Sequence, residues 1–138
     1  MAALAKARLT AERHGQSAQF TVFAGAVVYQ GAMVGLSGAG AGAVAKPASA
    51  DVTLRIIGIA EKTADNRVAQ PAPVMVDVRR GVFLLNNEAV DPLTIGDVGQ
   101  PCYASDDQSV AKTSATGTRP QAGTVSFVDA SGVWVKFS

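Results

Sequence analysis

The sequence is poor in the residues that most enzymes depend on. It has one histidine, one cysteine and one tryptophan, and only 17% of its residues are charged. Any Ser-His-Asp or Cys-His nucleophilic site would have to use His14, and a centre built from several histidines is excluded. Cys102 on its own allows neither an internal disulfide nor a cysteine-ligated zinc. It reads as a small buried apolar residue in a protein kept under reducing conditions. Twelve basic and eleven acidic residues leave a net charge of +1. That balance creates no field to gather nucleic acid or a membrane surface. No secretory signal is expected, because Met1 to Arg8 lacks a continuous apolar core. The uncharged run from Gly15 to Ala45 is long enough to span a bilayer. It carries six glycines from Gly25 onward and few large aliphatics, so a membrane helix is not expected.

What is present is the rhythm of β-structure. Phe20, Val22 and Ala24 recur at period two, as do Ala32, Val34 and Leu36. Leu54 to Ala60 is a β-branched run bounded by turn residues. Val74, Val76 and Val78 alternate with Met75, Asp77 and Arg79, the pattern of a half-buried strand. Gly81 then interrupts the chain before Val82-Phe-Leu-Leu85, which predicts a bulge or bend where the strand changes sheet. Thr124–Val128 and Val133–Phe137 flank Asp129-Ala-Ser-Gly132, a predicted hairpin with a four-residue loop. Turn clusters at Lys46–Ser49, Ala64–Arg67, Gln70–Pro73, Asn86–Glu88, Asp106–Gln108 and Thr116–Thr118 punctuate these runs. Short strands at this spacing predict an all-β fold, a β-sandwich or small β-barrel. Its single domain is expected over residues 16–138.

Residues 1–15 read as an extended N-terminal arm. Ala2 to Ala7 has helix propensity, but Leu4 and Leu9 are too few to form a core-facing stripe. Lys6, Arg8 and Arg13 against Glu12 make the segment basic, so it is expected to order on a partner. Leu4, Arg8, Leu9 and Arg13 are its candidate contact residues. Trp134 is a fifth candidate: it alternates out of the Val133, Val135 and Phe137 face, as a second-sheet core residue or as an interface anchor.

Three motifs imitate chemical sites. Gly38-Ala-Gly-Ala-Gly-Ala43 follows a predicted strand, with Glu61 about twenty residues on, as in a dinucleotide-binding unit. Pro47 falls inside the helix that such a unit needs, so a glycine-alanine turn is expected instead. Asp106 and Asp107 would point to opposite faces of a strand and read as turn residues. Arg79-Arg80 could meet a phosphate, but Asp77 lies close and no aromatics interleave, so a solvated face is expected. No catalytic residue, cofactor site or metal site is expected.

The order of several segments resembles the small head-decoration, or structural cement, proteins of tailed bacteriophages. Leu9-Thr-Ala-Glu-Arg13 looks like that family's opening, and Tyr29-Gln-Gly-Ala-Met-Val34 like one of its strands. Ile57-Gly-Ile-Ala-Glu61 and Val76-Asp-Val-Arg-Arg-Gly-Val-Phe83 fit its middle. The most specific piece is Asp97-Val-Gly-Gln-Pro-Cys-Tyr103, followed by Asp106–Val110, and Gly132-Val-Trp-Val135 closes the series. The glycine-alanine tract at 38–43 and the Gln70–Pro73 segment depart from it. The resemblance implies a jelly-roll or barrel fold without catalysis. It also implies binding to assembled major capsid protein and to other copies of the chain, as a dimer or trimer, with no nucleic acid or membrane partner. The protein would lie on the capsid surface of the virion, and in the host cytoplasm during assembly. The alternative from the residues themselves is a non-catalytic β-sandwich ligand-binding or tail-fibre module, against which the scarcity of aromatic platforms weighs.

Overall fold

The computed structural model describes residues 3, 5–7 and 16–138, so the expected arm falls largely outside the described residues. The rest is all-β, with two 3₁₀ turns and no α-helix among the described residues. Seven strands come from the first half: β1 (Ser17–Thr21), β2 (Val27–Val28), β3 (Met33–Ser37), β4 (Val44–Pro47), β5 (Arg55–Ala60), β6 (Ala64–Asp65) and β7 (Met75–Arg79). Five follow: β8 (Gly81–Asn87), β9 (Pro101–Ala104), β10 (Ser109–Ala111), β11 (Gln121–Asp129) and β12 (Gly132–Phe137).

The first group makes a five-stranded sheet in the order β1-β7-β5-β3-β4, and β2 and β6 form a separate two-stranded ribbon. The sheet rolls until its edges touch. Val22, just past β1, bridges Ala45 of β4 in parallel, and the Phe23 N–H donates to the Ala45 carbonyl at 2.9 Å. The second group closes completely as a barrel, β10-β8-β12-β11-β9, with β8 and β10 paired in parallel. Closure removes free strand edges from this half of the molecule.

Gly81 is the joint between the two, as its interruption of the apolar run predicts. β7 belongs to the rolled sheet and β8 to the barrel, and Gly81 takes a φ of 144° that a side chain would strain. The expected one-sided strand at Val76 and Val78 is also found, with both valines buried and Met75 and Arg79 exposed.

Two apolar clusters result, and β3 and β5 are the wall between them. Val34, Ile57 and Ala60 face the interior of the roll, together with Val22, Val28, Val76 and Val78. Met33, Ile56 and Ile59 face the other way, into the barrel core of Leu85, Leu93, Cys102, Val110, Val125, Val133, Val135 and Phe137. A register shift in the β3–β5 pairing lets Ile56 and Ile59 share the barrel side, although strict alternation would separate them.

Four sequence expectations change. Ala64 and Asp65 form strand β6, paired with β2, at the start of the expected Ala64–Arg67 turn. Lys46 and Pro47 close β4 instead of starting a turn; proline is tolerated there because, beyond the Val22–Ala45 bridge, the outer edge of β4 has no strand partner at Pro47. Asn86 and Asn87 belong to β8, not to a turn. The last hairpin has a two-residue loop, Ala130-Ser131, because the ladder continues to an Asp129–Gly132 pair. The glycine-alanine tract is a 3₁₀ turn, Gly40–Gly42, and the chain enters strand β4 where a dinucleotide unit would place a helix. The uncharged run likewise forms β1 to β4.

Candidate docking surface

Of the five candidate contact residues, Leu4, Arg8, Leu9 and Arg13 lie outside the described residues. Trp134 is described, and its surroundings define the most distinctive surface of the molecule. Val133 and Val135 point into the barrel with no exposure, so Trp134 must point out. It lies opposite Leu84 of β8 on one side and opposite Phe127 of β11 on the other. The three side chains form one apolar row across three adjacent strands. Leu84 is 41% exposed and Phe127 50% exposed, while Trp134 between them is half-buried. Val82, two residues from Leu84 on the same face, extends the row and is 48% exposed.

Phe127 reaches this surface through a bulge. The β11–β12 register runs Val125–Val135 and then Phe127–Trp134, leaving Ser126 without a partner. Without that extra residue, alternation from buried Val125 would send Phe127 into the core. With it, Phe127 turns outward beside Trp134. The sequence reading found Trp134 by alternation but missed Phe127, because a bulge has no period. It also missed Leu84, because Val82-Phe-Leu-Leu85 is apolar at every position. A hydrophobic run too dense for a strand with one wet face was the available signal.

The polar rim is fixed by the hairpin. Asp129 Oδ1 accepts the Ser131 backbone N–H at 2.8 Å, and its Oδ2 accepts the indole Nε1–H of Trp134 at 3.2 Å. These donors, the Ser131 amide first and the indole next, hold the Asp129 carboxyl below its usual range. The hydrogen bond also fixes the orientation of the indole, leaving one ring edge satisfied and the faces available to a partner. Lys136 supplies an exposed positive charge two residues along β12.

The remaining candidates resolve into structural roles. Cys102 is fully buried in the barrel, where desolvation pushes its thiol up to about 11. Asp106 and Asp107 occupy the β9–β10 turn, as expected, and Asp106 Oδ1 accepts the Gln108 N–H at 2.8 Å. Arg79 pairs with Glu61 at 3.1 Å, and Arg80 is exposed. Among the described residues, no three His, Cys, Asp or Glu side chains gather as a metal-binding group. No helix among them is long and apolar enough to cross a membrane.

Compared with family models, with curated proteins and with solved structures, the chain finds no match.

Proposed function

We propose that this chain is a non-catalytic capsid decoration protein that binds the outside of an assembled tailed-phage head and stabilises contacts between neighbouring major capsid subunits. The observation that carries the docking part of this reading is the exposed row Leu84–Trp134–Phe127. Contiguous apolar side chains on a rigid barrel wall, with a tryptophan at the centre and a polar rim, are the anatomy of a protein-binding surface. The ordered series of family-like segments supplies the identity of the partner.

The energetics suit a weak contact repeated many times. Fully burying a large apolar side chain is worth about 1.5–3 kcal/mol. Leu84 and Phe127 are each about half exposed, so docking would gain about 1 kcal/mol from each, with Trp134 as the anchor. One such patch gives a modest affinity. Many symmetric copies on a shell hold it together, because a loosened subunit remains tethered through its neighbours.

The test is co-sedimentation of the purified protein with heads that lack it. Saturable decoration is expected, and heads that stay bare at every concentration would overturn the reading. Trp134→Ala should weaken each contact by about thirtyfold, the ~2 kcal/mol typical of an interface anchor. Full decoration by the Trp134→Ala, Phe127→Ser double variant at the wild-type concentration would show that this face is not the one that docks.

A further inference from the structure

Where the rolled sheet meets the barrel, a groove of about 470 Å³ opens on the surface. Its floor is apolar and made of small residues around one ring: Phe23, Ala24, Ala26, Pro47 and Ala48. Lys46 lies across one wall with its Nζ 4.1 Å from the Phe23 ring centroid, a cation–π contact. The β9–β10 turn also lines the groove and presents Asp106 and Asp107. Among the described residues neither carboxylate has an ion-pair partner, and the ion pairs there use Asp65, Glu61, Asp97 and Asp91. Asp107 is half-buried, and burial together with the charge of Asp106 raises its carboxyl above the usual range. The groove therefore combines an apolar, small-residue floor with two carboxylates that have no ion-pair partner among the described residues.

We propose that this groove seats the N-terminal segment, residues 1–13, of a second copy of the chain. That segment has the complementary composition: three basic residues against one acidic, two leucines, and alanines at 2, 3, 5, 7 and 11. Seated in extended form, Lys6 and Arg8 fall on one face toward the aspartates, and Ala5, Ala7 and Leu9 fall on the other toward the apolar floor. The direction of β1 favours a second copy over the chain's own segment. β1 runs from Ser17 toward the groove and delivers Phe23 into its wall. The chain before Ser17 therefore leaves about 20 Å away, at the far end of the strand. Filling its own groove would require the segment to double back along β1. The proposal deepens the function above by naming a self-contact. It concerns the free protein, so its failure is separate from a failure of capsid attachment.

A charge exchange in the full-length chain tests it, with sedimentation velocity reading the mass. One variant reverses the segment, Lys6→Glu with Arg8→Glu; the other reverses the groove rim, Asp106→Lys with Asp107→Asn. Wild-type protein is expected to self-associate with rising concentration, and each variant alone to associate about tenfold more weakly, as expected for losing two surface ion pairs. Mixing the two variants should restore association, because each then supplies what the other lacks. The segment variant changes neither core cluster, so its result stands even if the rim variant folds poorly, which circular dichroism would reveal. Monomeric wild-type protein at all concentrations overturns the proposal. So does a segment variant that associates like wild type.

Discussion

Truncating Phe137 to alanine should be the most damaging single change on the last strand, and its cost can be worked from the structure. Phe137 is 4% exposed at the rim of the barrel core, below Val133 and Val135, which are fully buried. Its ring lies 6.3 Å from that of Phe83, centroid to centroid, with planes tilted by 49°. Its cross-strand partner is Gly81, which has no side chain to move into the space a lost ring would leave. Phe83 packs on that ring, and its backbone is held in β8 opposite Val135 of β12. Collapse of the hole is therefore limited, which places the cost in the upper half of the ~3–5 kcal/mol range for Phe→Ala.

A loss of about 4 kcal/mol is a large share of the ~5–15 kcal/mol that stabilises a domain. For a chain of this length it should lower Tm by about 12–16 °C. Urea unfolding followed by Trp134 fluorescence is the direct assay, since the indole sits on the same strand. The midpoint should fall while the slope m stays constant. Lys136→Ala, a change at the exposed neighbour, should stay within about 0.5 kcal/mol of the parent. A Phe137→Ala cost below about 1 kcal/mol at unchanged slope would refute the placement of Phe137 in the core.

Gly132→Ala should destabilise by roughly 2 kcal/mol or more in a thermal melt, because the new Cβ collides with the Leu85 carbonyl and φ is 139°; an unchanged melt would contradict the β8–β12 approach. Asp65 is held at about 2 by Arg67, and hydrogen-bond donors hold Asp51, Asp91 and Asp129 below their usual range. Depressed folded values give stability that is complete above about pH 4 and lost as pH falls toward 2, so the urea midpoint should drop in that window; a midpoint that rises there would refute the assignment. Asp107, raised by burial, has the opposite sign, and Asp107→Asn should raise the midpoint at pH 7. The buried Cys102 thiol should resist a disulfide-exchange reagent until the barrel unfolds, and rapid labelling in native buffer would contradict its burial.

Where one face of a strand is covered and the other wet, the fold could be read from the sequence. Val76 and Val78, and Val133, Val135 and Phe137, announce themselves by period two, and Gly81 marks the change of sheet because only its backbone allows that bend. The reading fails where both faces are covered. Met33 and Val34 are adjacent and both fully buried, in different cores, so β3 shows no alternation to count. The parallel β8–β10 pairing that closes the barrel joins Asn86 to Ser109, a contact set by global packing and invisible to local pattern. The same divide runs through the docking surface. Trp134 follows from simple alternation, Phe127 depends on a bulge at Ser126, and Leu84 lies in a run with no polar residue to reveal its face.

The barrel wall separates stability from recognition residue by residue. On β12 the inward Val133, Val135 and Phe137 hold the core, while the outward Trp134 lies between Leu84 and Phe127 and contributes little to it. The pleat enforces this division: neighbouring side chains face opposite environments, so a change at 134 leaves the packing at 133 and 135 in place. The bulge at Ser126 extends the division to β11 by moving one large ring from the core to the surface without interrupting the ladder on either side. Exposing Leu84, Trp134 and Phe127 together costs solubility and returns nothing to the fold itself. This is the surface that the proposed docking would cover. Truncating these residues should therefore change what the protein binds before it changes how the protein melts.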